Sequence, residues 1–123
     1  MEAAQGITSE LALRYLLELS TDIRLALLLD REGKLIAAAP DRPSGEAIEL
    51  AGRLVAEARA LARSPDEPVE LDALVERGAV FLIGEDDVVL LCTTGRFALP
   101  GLILHDMRAV LGDLRAGRSG ASA

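Results

Sequence analysis

Apolar and polar residues recur along this chain in periods that separate helices from strands. Ala12, Leu13, Leu16, Leu17 and Leu19 fall at helical spacing behind Ile7-Thr8-Ser9-Glu10. Thr8 or Ser9 can cap there and Glu10 suits the positive end of a helix, so a helix is predicted over 9–20. Ile23 to Leu29 is a dense apolar run whose Leu and Ala content would also permit helix. The next four residues decide for a strand: Asp30-Arg31-Glu32-Gly33 has Asp at the first position of a type I turn and Gly at the fourth, left-handed one. Leu35-Ile36-Ala37-Ala38-Ala39 then returns, which makes a hairpin.

A loop, Pro40 to Gly45, leads into a long helix over 45–63, closed by Ser64-Pro65-Asp66-Glu67-Pro68 because proline cannot continue it. Val69-Glu70-Leu71-Asp72-Ala73 alternates with period two, as a half-exposed strand does. Ala79–Ile83 and Val88–Thr93 are continuous apolar runs suited to strands covered on both faces, joined by the acidic turn Gly84-Glu85-Asp86-Asp87. Pro100 opens a last helix, in which Ile103, Met107, Val110, Leu111 and Leu114 form one stripe. Residues 116–123, all small but for Arg118, read as a disordered tail. The order α-β-β-α-β-β-β-α predicts one α+β domain over 8–115. It is a five-stranded antiparallel sheet with the middle helix on one face and the two terminal helices on the other.

The middle helix carries more apolar surface than one sheet face requires. Ala47, Ala51, Leu54, Ala58 and Leu61 make a stripe suited to covering the sheet, while Ile48, Gly52, Val55, Ala56 and Ala60 lie to one side of it. Gly52, Ala56 and Ala60, at i, i+4 and i+8, would let another backbone approach; the alternative is a stripe that is merely wide. The strand containing Val69, Leu71 and Ala73 turns directly into its neighbour at Arg77-Gly78, so one of its edges should be free, and free edges invite pairing. A second copy using the Ile48–Ala60 flank together with Val69, Leu71 and Ala73 would bury both features. The charged positions of the same helix, Glu46, Glu49, Arg53, Glu57 and Arg59, would then be offered to a partner.

Composition narrows what that partner can be. The length of 123 residues suits one domain, able to bury roughly two-thirds of its unfolded surface without a staple. With 20 acidic against 13 basic residues and a net charge of −7, the chain lacks the phosphate-neutralising surface of a duplex binder and the attraction to anionic lipid. Tyr15, Phe81 and Phe97, its only aromatic residues, give no stacking platform for single strands. The single cysteine, Cys92, excludes an intramolecular disulfide and leaves a zinc site short of ligands. Neither a secretory signal nor a run of the ~20 apolar residues that span a bilayer is present, so a cytoplasmic location is expected.

Catalytic chemistry is sparse. Neither a G-x-x-x-x-G-K-[ST] nor a G-x-G-x-x-G loop occurs, so no nucleotide or other cofactor is expected, and no metal either. Cys92 and His105 could pair as nucleophile and base, but Cys92 lies in an apolar strand and reads as a core residue. His105-Asp106 reads as a solvated helix face. Glu85-Asp86-Asp87 lacks calcium-loop spacing and reads as a hairpin tip. Arg96, just before the last helix, could imitate an arginine finger. The chain is therefore expected not to be an enzyme.

The order of elements, and above all Leu27-Leu28-Leu29-Asp30-Arg31-Glu32-Gly33-Lys34-Leu35-Ile36-Ala37, resembles the Roadblock family of dynein light chains and bacterial MglB-like regulators. The Ala/Leu-rich middle helix and the paired late strands Val80–Ile83 and Val88–Leu91 extend the resemblance over about residues 8–115. It implies a homodimer joined through the middle helix and third strand, and a partner of the Ras-like small GTPase class, whose hydrolysis or exchange some members modulate. It carries no arginine finger onto Arg96. The alternative is a purely structural dimerisation scaffold in a signalling or motility complex, with a small-molecule sensor further behind.

Overall fold

Asp30 closes the first hairpin with its own side chain. Its Oδ1 accepts hydrogen bonds from the backbone N–H groups of Glu32 (2.8 Å) and Lys34 (2.9 Å), and its carbonyl accepts from that of Gly33 (3.0 Å). Gly33 sits at φ +87°, where an L side chain is strained. The strands on either side are β1 (Ile23–Asp30) and β2 (Leu35–Ala39). The computed structural model describes residues 2–63, 68–75, 78–85, 87–95 and 98–122, and the side chains of all of these except 2–8, 75 and 115–122.

The remaining elements are α1 (Glu2–Leu19), α2 (Gly45–Leu61), β3 (Val69–Val75), β4 (Gly78–Glu85), β5 (Val88–Thr94) and α3 (Pro100–Ser122). The strands form one antiparallel sheet in the order β2-β1-β5-β4-β3. β1 and β5 lie inside it and are covered on both faces, which is why their apolar runs are continuous. Ala26 and Leu28 point into a layer with Leu13 and Leu16 of α1 and Ile103, Met107, Val110 and Leu111 of α3. Leu27 and Leu29 point the other way, into Ala51, Val55 and Ala58 of α2. The sheet thus separates two cores, with the terminal helices on one face and the middle helix on the other, as the pattern predicts. Each Leu buried there contributes about 2 kcal/mol.

The helix ends depart from expectation. Ser44 caps α2, its Oγ accepting from Ala47 N–H at 3.2 Å, but the helix stops at Leu61, where Ala62 turns extended (ψ 146°). Ser9 is no cap: α1 begins at Glu2 and buries Ser9 inside the helix. Glu2-Ala3-Ala4-Gln5 are good helix formers, and Gly6 costs about 1 kcal/mol rather than forbidding the turn. By the same reasoning the backbone of α3 continues as helix past its last buried residue, Leu114, through residues 116–122, where the sequence pattern predicts a tail. Gly117 and Gly120 weaken a helix without ending it.

Candidate interaction surface

The two edges of the sheet are unlike. β2 is five residues long, its register with β1 slips between Leu28 and Leu29 so that Ile36 is extra, and Pro40 comes after it without an N–H. A short, bulged, proline-ended strand is a blunted edge. β3 pairs in unbroken register with β4, from Val69 opposite Gly84 to Val75 opposite Gly78, and among the described residues nothing pairs with its other side. That seven-residue edge has no bulge and carries neither Lys nor Pro.

α2 presents a different flank from the expected one. Val55, assigned to the outward flank, is 1% exposed and packs in the core under the helix. Gly52 is occupied from within the chain: a Cβ placed on it would lie 3.3 Å from Gly33 O. Ile48 is half-buried, while Ala56 and Ala60 are exposed but small. The large apolar residues that reach solvent are Leu50 (54% exposed) and Leu61 (81%), with Leu54 half-buried between them. The helix is rolled on the sheet by roughly 50° from the expected orientation, half of the 100° step per residue. Ala51, Val55 and Ala58 are the residues of the helix buried against the sheet, and Leu54 and Leu61 are turned outward. Leu61 ends beside β3, lining one hollow with Ala58, Ala62, Pro68, Val69 and Leu71. Of the three β3 positions, Val69 is buried, Leu71 half-buried and Ala73 exposed.

Glu46, Glu49, Arg53 and Glu57 stand on the exposed crest of α2. Arg53 Nη2 and Glu49 Oε1 lie 3.7 Å apart, both side chains about 70% exposed, so the pair is screened and weak. Arg59 does not join them. It is half-buried, with Nε and Nη1 out of solvent and Nη2 directed at Gly84.

The candidate catalytic groups are dispersed. Cys92 is fully buried beneath α1 and α3, and burial pushes its thiol well above the ordinary value. His105 is exposed on α3, its Nδ1 3.3 Å from Asp106 Oδ1. Of the acidic turn, Glu85 is half-buried and Asp87 exposed. Asp86, Arg77, Arg96, Phe97 and the helix-ending Ser64–Glu67 lie outside the described residues. Among the described residues no cluster of His, Cys, Asp or Glu could hold a metal ion, and no helix is long and apolar enough to cross a membrane.

A five-stranded sheet in this order, between one middle helix and two terminal helices, is the architecture of a Roadblock-type domain. Among solved structures, the chain is similar to an MglB described with a tetrameric arrangement: 23% identity, TM-score 0.73, over 90% of this chain and 88% of that one. Myxococcus xanthus MglB is similar at 14% identity and TM-score 0.75, over 96% and 92%. A Roadblock/LC7 domain from Streptomyces avermitilis is similar at 15% identity and TM-score 0.74, over 89% and 97%. At these identities the likeness is one of fold. No family model matches the sequence, and no curated protein does.

Proposed function

We propose that this protein is a non-catalytic homodimeric regulator or adaptor of a Ras-like small GTPase. The observation that carries the reading is the fold shared with MglB over nearly the whole of both chains, since the Roadblock resemblance implies such a partner. The shape of the surface supports the homodimer: the unbulged outer edge of β3 lies in the same hollow as Leu61 and Leu71, so pairing of two β3 edges would satisfy backbone groups and cover apolar side chains together. Of the residues that the sequence pattern assigns to that seam, Leu71 and Ala73 remain candidates and Leu50, Leu54 and Leu61 join them, while Ile48, Ala56 and Ala60 make up the competing seam. Gly52, Val55 and Val69 are engaged within the chain. The crest residues Glu46, Glu49, Arg53 and Glu57 are the surface offered to the GTPase.

The test is to mix the protein with Ras-like GTPases loaded with GTP or GDP, measure the complex by light scattering, and monitor hydrolysis and nucleotide release. A complex with altered rates supports the regulator. A complex with unchanged rates leaves the scaffold reading, and no complex with any such GTPase overturns the assignment of partner.

A further inference from the structure

Two helices cannot cover five strands. Strands lie ~4.8 Å apart and a helix is about 10 Å across, so each helix covers about two strands. On the face carrying the terminal helices, α1 packs on β1 and β2 and α3 on β4, and the side chains of β3 stay largely exposed. Its side chains on that face alternate as Glu70, Asp72 and Leu74; all three are exposed, Leu74 to 73%. α3 reaches this strand through Arg108, whose Nη2 donates to Glu70 Oε2.

We infer that, in the homodimer proposed above, the two β3 strands form a trough that binds one cationic amphipathic helix of a partner protein. The inference rests on that dimer. If two β3 edges pair about a two-fold axis normal to the sheet, both copies of α3 stay on one face, separated by the two β3 strands. The strip is about 10 Å wide, which admits a single helix. Its floor carries Glu70, Asp72 and Leu74 twice, with Arg108 at each wall, for a net charge of −2. The charge selects cations, and the Glu70–Arg108 pair already holds a guanidinium against this floor. The two Leu74 side chains supply apolar contact, and at each end the hollow between Pro68, Ile83 and Leu111 can take an aliphatic stem. The trough lies opposite the crest of α2, so the dimer would hold a GTPase on one face and a second partner on the other.

The probe is a synthetic amphipathic helical peptide with leucines on one face and lysines on the other, titrated calorimetrically into the full-length protein, with a Leu/Glu counterpart as control. Light scattering of the same sample reports the oligomeric state. Expected is one lysine peptide per two chains and no binding of the glutamate peptide. Affinity should fall about tenfold in Asp72→Asn with Leu74→Ser, and not in Glu18→Gln, which removes one charge elsewhere. A monomer in light scattering overturns the dimer and the trough with it. A dimer that leaves the peptide unbound, or binds it equally well in the two variants, overturns the trough alone.

Discussion

Gly33 and Gly52 meet backbone to backbone: a Cβ placed on Gly33 would lie 2.8 Å from Gly52 Cα. The β1–β2 turn is thereby set directly on the middle of α2, and neither residue can carry a side chain without displacing main chain. The two positions are not equivalent. Gly33 also has φ +87°, so Ala there adds about 1–2 kcal/mol of left-handed strain to the overlap. At Gly52 the contact is looser, 3.3 Å to Gly33 O, and Ala gains about 1 kcal/mol of helix propensity that offsets much of it. Gly33→Ala should lower the melting temperature by about 8–12 °C and Gly52→Ala by less than about 4 °C, at about 4 °C per kcal/mol for a chain of this size. Equal losses in a calorimetric scan would mean that the contact is not the one described.

The orientation of α2 gives the proposed seam a direct test. Leu61→Arg puts a charge beside β3, where pairing would bury it without a partner. It should convert the dimer to monomer in light scattering with little change in folded content, since Leu61 is 81% exposed in the single chain. Ala56→Arg, on the crest, should leave the dimer intact. The reverse pattern would restore the Ile48–Ala60 flank as the seam.

These two substitutions mark what the sequence could and could not convey. Periodicity reports which residues of a helix are apolar, and it placed α2 on one face of the sheet and the two terminal helices on the other. It does not report how the helix is rolled, because Ala, Leu, Ile and Val are spread around most of its circumference. Ala51 and Ala58 went to the sheet as expected, but Leu54 and Leu61 came out where Val55 went in. The turn of the first hairpin was legible because Asp30 and Gly33 define it locally, whereas the slip that leaves Ile36 extra was not. The role of Gly52 was not, because its contact is 19 residues away in the chain, and i, i+4 spacing with Ala56 and Ala60 suggested another helix in place of the turn. Arg59 carried no signal separating it from the crest charges; its burial results from the same roll.

Cys92 gives a prediction about pH. Its thiol is raised above the ordinary 9.0 because burial disfavours the thiolate, so at pH 7 it is neutral in the folded and unfolded chain alike and contributes nothing to pH dependence. Above pH 9 the unfolded chain releases the proton and the folded one keeps it, so stability must fall as pH rises, by up to about 1.4 kcal/mol per pH unit. Cys92→Ala should remove that alkaline loss in urea titrations at pH 8 and 10. The native thiol should resist alkylation until the protein unfolds; rapid labelling of the folded chain would place Cys92 outside the core.

The crest of α2 decides the GTPase reading at residue level. Glu46, Glu49, Arg53 and Glu57 are exposed there, and a two-fold axis would present the set twice. Single exposed charges contribute little to folding, and the 3.7 Å Glu49–Arg53 pair can be reversed without cost to the helix apart from a less favoured i, i+4 orientation of a few tenths of a kcal/mol. Stability and dimerisation therefore act as internal controls. A partner that reads this pattern is steered by it, so Glu49→Arg combined with Arg53→Glu should weaken binding about tenfold at low salt and flatten its salt dependence, mainly through a slower association rate. Stopped-flow association of the cognate GTPase at two ionic strengths gives both quantities. If rate and salt slope match the native protein while the dimer persists, the GTPase docks elsewhere, and the outer faces of α1 and α3, where Leu11, Tyr15, Leu19 and Leu102 are exposed, become the surface to substitute next.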